Sequence, residues 1–108
     1  MSEGRVERGA GGELRLAGVL DYQAGPGVRR QGQALIRQAK GERVRVDCSA
    51  VEKSSSVGVS LLLAFTRDAL AQGDDIVITG LPDDMREIAQ VSGLLDVLSL
   101  AEDPQAVA

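Results

Sequence analysis

The chain has 108 residues, 44% hydrophobic and 26% charged, and twelve Lys and Arg against sixteen Asp and Glu leave a net charge of −4. That is the length of a single domain, residues 1–108, with apolar content enough to fold without metal or disulfide staples. One cysteine and no histidine exclude an internal disulfide, Cys–His catalysis and a transition-metal site; 2% aromatic residues and an acidic balance speak against a nucleic-acid partner.

The N-terminus, Met1–Val6, lacks the apolar run of a signal peptide. No stretch approaches the roughly 20 apolar residues that span a bilayer. A cytoplasmic protein without direct membrane insertion is therefore expected. Arg5–Arg8 reads as a short strand and Gly9–Gly12 as a flexible turn. Residues 13–20 alternate and then turn apolar, so a hairpin is expected whose second strand enters the sheet. Pro26 suits the first turn of a helix. Val28, Gly32, Leu35, Ile36 and Ala39 trace its buried face, Gly32 permits close backbone approach, and Gly41 stops it. Arg29, Arg30, Arg37, Lys40 and Arg43 read as a solvated face rather than a phosphate-binding patch.

Val44–Cys48 is the next strand, with Cys48 packed as a small apolar residue. A polar loop with Ser54, Ser55 and Ser56 follows. Hydroxyls there are placed to satisfy the free N–H groups of a helix start. The helix beyond is the most apolar of the chain. A helical wheel puts Gly58, Val59, Leu62, Leu63, Phe65, Thr66, Ala69 and Leu70 in one sector that can face the core. Val57, Leu61 and Ala64 fall with Ser60, Arg67 and Asp68 on the opposite side. Unless another helix covers them, they form an exposed apolar strip beside the serines, a candidate docking surface. Ile76–Thr79 reads as a strand buried on both faces. Pro82-Asp83-Asp84 starts a third helix, with Met85, Ile88, Ala89 and Val91 as its buried stripe and Gly93 as its end. Leu94–Leu100 suggests an edge strand, and residues 101–108 a frayed tail.

The loop offers Asp47, Glu52 and Lys53 beside the serines, but no second acid or base is made to converge on them. A Ser–Lys pair is unfavoured, because Lys53 belongs to the same polar turn. There is neither a Gly-x-Ser-x-Gly elbow nor a phosphate-binding Gly-x-x-x-x-Gly-Lys-Ser/Thr loop. A non-catalytic chain without cofactor is expected.

Two motifs carry a resemblance. Leu16-Ala17-Gly18-Val19-Leu20-Asp21 and Asp47-Cys48-Ser49-Ala50-Val51-Glu52-Lys53-Ser54-Ser55-Ser56-Val57-Gly58-Val59 resemble, in order and spacing, the two signature segments of the STAS domain family. The resemblance spans about residues 5–100. It implies an α/β fold, a mixed sheet of four to five strands with helices packed mainly on one side. It puts Ser56 on the family's phosphorylatable Ser/Thr, Ser55 on its usual Asp and Val57 on a small residue. Gly58-Val59-Ser60-Leu61-Leu62-Leu63 is most similar to a subgroup, the small cytoplasmic subunits of Mla-type lipid-transport ABC systems. That implies docking on an ABC transporter ATPase subunit through Ser54, Ser55, Ser56, Val57, Ser60, Leu61 and Ala64, peripheral to the inner membrane. The alternative is an anti-sigma-factor antagonist that a serine kinase modifies at Ser56.

Overall fold

Alternation decides the sheet. In β2 (Leu14–Leu20) Leu14, Leu16 and Leu20 are buried while Arg15 stays exposed. In β3 (Val44–Ser54) Val44, Val46 and Cys48 are buried and Arg45 and Asp47 only partly so. Parallel pairing sets Leu14 beside Val46 and Arg15 beside Asp47, so the apolar side chains share one face. The computed structural model describes residues 1–101. Its five strands lie in sequence order: β1 (Arg5–Arg8), β2, β3, β4 (Ile76–Thr79) and β5 (Leu100–Ala101). The β1–β2 hairpin is antiparallel and every other pairing is parallel, so the sheet is mixed, as expected.

Three helices cover the apolar face. α1 (Gly25–Gln38) packs on β1 and β2, α2 (Ser56–Ala71) on β3 and β4, and α3 (Asp83–Val91) on β3 and against α2. With almost no aromatics, the core is aliphatic around a single ring: Phe65 is fully buried amid Leu14, Leu16, Leu20, Ile36, Leu62 and Ile78. Gly32 lies against the Cζ end of that ring. A Cβ there would overlap Phe65 Cζ and stand 3.2 Å from Cε2, so the close approach of α1 and α2 depends on the missing side chain.

Several expectations are corrected. β3 runs on through Ser54, so the supposed polar loop is strand. β2 outlasts β4, and its second half supplies backbone partners: Ala17 to Ala50, Gly18 to Val51 and Leu20 to Ser54. Two register shifts accompany this extension, and the burial spacing stretches to Cys48, Val51 and Ser54. Polarity of side chains does not stop a strand whose backbone remains paired. Leu70 is 60% exposed and Val91 89% exposed, so neither joins the core; each lies in the last turn of its helix. Residues 94–99 are turns, and β5 is only Leu100–Ala101 beside Ile78 and Thr79. The expected tail, apart from Ala101, lies outside the described residues.

Candidate functional site

The serine corner is built where β2 and β3 both end and α2 begins. Asp21, just past β2, accepts hydrogen bonds from Gln23 N (3.1 Å) and Ala24 N (2.9 Å) through Oδ1. This turns the chain directly into α1, whose first turn carries Pro26. The carboxylate that ends the first motif thus fixes where α1 starts relative to the corner.

The three serines have different duties. Ser54 is buried; its Oγ donates to Ser55 O (2.7 Å), and its backbone N donates to Asp84 Oδ2 (3.0 Å) at the start of α3. Asp84 Oδ1 also accepts from Met85 N (2.8 Å), so one carboxylate ties the ends of β3 and α3 together. Ser55 is the N-cap: its Oγ accepts from Val57 N (3.2 Å), and its own N donates to Leu20 O (3.0 Å). Ser56 occupies the first helical position, exposed, and among the described residues its hydroxyl has no hydrogen-bond partner. Gly58 lets the turn close. A Cβ there would overlap Ser54 Oγ and stand 2.9 Å from Met85 Cε.

The exposed apolar strip is corrected. Leu61 is 5% exposed and Ala64 6%, and α1 is the helix that covers them. The wheel phase was right about their common face; α1 packs across that face rather than leaving it to solvent. What remains open is a shallow apolar depression of about 230 Å³ at the α1–α2 seam. Gly25, Pro26 and Arg29 line it from α1, and Val57, Ser60, Leu61 and Ala64 from α2. Leu61 and Ala64 are its floor; half-buried Val57 and exposed Ser60 are its rim, beside Ser56. Of the seven residues singled out for the site, Ser55, Ser56, Val57 and Ser60 have surface to offer at this corner, and Leu61 and Ala64 contribute only the floor of the depression. Ser54 contributes neither, because its side chain is turned inward to Ser55 O.

Charged groups near the corner do not converge on a hydroxyl. Glu52 is fully exposed and accepts hydrogen bonds from Ser2 Oγ and from Ser2 N (3.1 Å). Those bonds hold its carboxyl below the usual range, and the N-terminal amine and Arg5 add to the effect. Ser2 O in turn accepts from Val19 N (2.9 Å), so the N-terminal segment is laced along β2. Gly18 (φ +79°) makes room for it; a Cβ would stand 2.8 Å from Ser2 O. No sequence signal pointed to this lacing, since neither Ser2 nor Glu52 belongs to an element with a readable period. Cys48 is buried, and desolvation, with Asp47 beside it, pushes its thiol up to about 12. Such a thiol is neither nucleophile nor ligand at neutral pH. Among the described residues no group of three acidic or cysteine side chains is arranged to hold a metal ion, and no helix is long and apolar enough to cross a membrane.

Comparison with known proteins agrees with this architecture. The family model described as "Mlab, STAS domain" matches residues 4–100. The anti-sigma factor antagonist SpoIIAA in its unphosphorylated form is 23% identical, with a TM-score of 0.70 over 96% of this chain and 92% of that one. An anti-sigma factor antagonist from Mycobacterium paratuberculosis is 21% identical, with a TM-score of 0.76 over 95% and 87%. An anti-sigma-factor antagonist (STAS) domain protein from Planctomyces limnophilus is 17% identical, with a TM-score of 0.72 over 99% and 95%. At these identities the structures speak for the fold. No curated protein gives a significant sequence match.

Proposed function

Because the chain belongs to the STAS domain family, we propose that it is a non-catalytic regulatory subunit that docks on the ATPase subunit of an Mla-type phospholipid-transport ABC transporter, which maintains outer-membrane lipid asymmetry. In this reading the protein is cytoplasmic and reaches the inner membrane only through the transporter. ATP belongs to the partner. The contact is made by Ser55, Ser56, Val57 and Ser60 with the depression floored by Leu61 and Ala64.

The observation that carries it is Ser56: it stands exposed at the first position of α2, next to Val57 of the apolar depression, and among the described residues its hydroxyl has no partner. Among the described residues no acid or base is hydrogen-bonded to it to take its proton, which supports a contact role over a catalytic one. The choice of an Mla-type transporter is supported by the family description and by the Gly58–Leu63 run.

A second reading, an anti-sigma-factor antagonist controlled by phosphorylation, is favoured by the likeness to SpoIIAA, which has been solved in both unphosphorylated and phosphorylated forms. Ser56 is exposed for it, whereas the Oγ of neighbouring Ser55, also exposed, is committed to Val57 N. Affinity capture from the native host, with mass spectrometry of the bound partner and of Ser56, separates the two. Stoichiometric recovery of an ABC ATPase, weakened by Ser56→Glu and untouched by Ser56→Ala, supports the first. Recovery of an anti-sigma factor or serine kinase, with phosphate on Ser56 that Ser56→Ala abolishes, overturns it for the second.

A further inference from the structure

The depression beside Ser56 is one of two along the α1–α2 seam. Gly25, Arg29, Gln33 and Arg37 lie four residues apart on α1, and Val57, Leu61, Ala64, Asp68 and Ala71 keep a three-or-four-residue step on α2. These are the facing rows of two packed helices. The Arg29–Asp68 ion pair bridges the seam midway. Beyond it lies a second depression of about 280 Å³, lined by Gln33, Arg37, Asp68, Ala71 and Gln72. From Gly25 to Arg37 is twelve residues of helix, or about 18 Å, roughly three turns.

The two ends differ chemically. The serine end is floored by Leu61 and Ala64, whereas the far end is polar and carries exposed Arg37. Arg67, exposed on α2, stands seven residues after Ser60 and within about 20° of its direction, next to Asp68 of the second depression. Arg29 and Asp68 neutralise each other. That leaves Arg37 and Arg67 as a cationic margin on a chain whose net charge is −4.

We propose that this seam receives an amphipathic α-helix of the partner, its apolar anchor in the depression beside Ser56 and its carboxylates some two turns further along, against Arg37 and Arg67. The proposal rests on the docking role argued above and adds the kind of segment that docks. Helix-in-groove recognition suits the arrangement: two depressions along a seam some three turns long, one an apolar seat and the other with a charged margin. Opposite charge at the margin sets the direction in which the helix lies.

The test uses helix-stabilised peptides of about 15 residues and the full chain. One peptide carries Leu with Glu seven and eight residues later; a second has Lys in place of both Glu; a third has Ala in place of Leu. Binding is read by fluorescence anisotropy at low salt, and the site by amide NMR shifts. The acidic peptide is expected to bind about fivefold more tightly than the Lys peptide, to shift Ser60, Gln33 and Ala71, and to lose affinity with the Ala peptide's truncation. Arg37→Glu is expected to invert the Glu–Lys preference, and Arg37→Lys to keep it. Equal affinities, no binding by any peptide, or shifts confined to the outer sheet face overturn the groove proposal. If that happens while partner capture stays sensitive to Ser56→Glu, the docking role stands and only the groove assignment is lost.

Discussion

Gly32→Ala tests the packing that creates the α1–α2 seam. In an exposed helix the change gains about 1 kcal/mol from propensity and reduced unfolded-state freedom. Here the new Cβ would overlap Phe65 Cζ and stand 3.2 Å from Cε2. Relief requires the ring or α1 to retreat by roughly an ångström. The ring is fully buried in the same core cluster as Leu14, Leu20, Ile36 and Leu62. Overpacking of this kind costs about 1–3 kcal/mol, which exceeds the propensity gain at all but its lowest end. A net loss of up to about 2 kcal/mol is expected, with a drop in Tm of roughly 4–8 °C per kcal/mol. Urea and thermal unfolding of the wild type, Gly32→Ala, Phe65→Leu and the double variant form the assay. The double variant is expected to be more stable than the sum of the single losses by about 1 kcal/mol or more, because the smaller side chain yields the space. A raised Tm for Gly32→Ala, or additive losses, refutes the claim that the ring and the glycine set the helix spacing.

Leu61→Ala is expected to cost about 2–5 kcal/mol in urea unfolding because the side chain is core, whereas Ser60→Ala, one residue away and exposed, stays within about 0.5 kcal/mol. Ser55→Ala removes the cap on Val57 N and is expected to cost about 1 kcal/mol; Ser56→Ala is expected to change stability by less than about 0.5 kcal/mol. Glu52 has a folded-state pKa below its ordinary 4.5, so its hold on Ser2 is complete above that value and lost as pH falls through the lower folded value. The protection of the Val19 amide, whose N–H donates to Ser2 O, taken relative to its intrinsic exchange rate at each pH, is expected to fall across that acid range, and Glu52→Gln to lower it at neutral pH and flatten its pH dependence. Cys48, with its thiol near 12, is expected to react with a disulfide reagent at pH 8 only on unfolding, its labelling rate tracking urea-induced opening.

How much of this was legible varied with what each residue answers to. The order of strands and helices followed from period and punctuation: the Gly9–Gly12 turn, Pro26 at the start of α1, and Gly41, Gly73 and Gly93 with positive φ just past the three helices. Gly32 could be read as a close approach because it interrupts an apolar row. The length of β3 could not, because Ser49 to Ser54 stay in the sheet through backbone partners on β2 rather than through side-chain pattern. The burial of Leu61 and Ala64 was equally out of reach. A wheel reports which residues share a face, not which neighbour lies on it. α2 is apolar nearly all round, and that is the pattern of a helix covered on more than one side. Here the sheet covers one side and α1 another.

The serine row shows why one position can be altered without disturbing the rest. Ser54 is committed inward to Ser55 O, with its backbone N on Asp84, and Ser55 is committed to Val57 N and Leu20 O. Substituting either loosens the β3–α2 junction. Ser56 is bound by none of these bonds, and α2 has no acidic residue in its first turn. The positive end of the helix is therefore uncompensated where a negative charge at Ser56 would sit, and the folded state tolerates that charge or gains slightly from it. A partner seated on Val57 and the adjoining depression would have to bury the same charge against apolar surface, at a much larger cost. Ser56→Glu is thus expected to leave Tm unchanged or slightly raised while weakening partner capture. A parallel loss of both would mean that the corner is structural and that the separation between fold and contact, on which the docking role depends, does not hold.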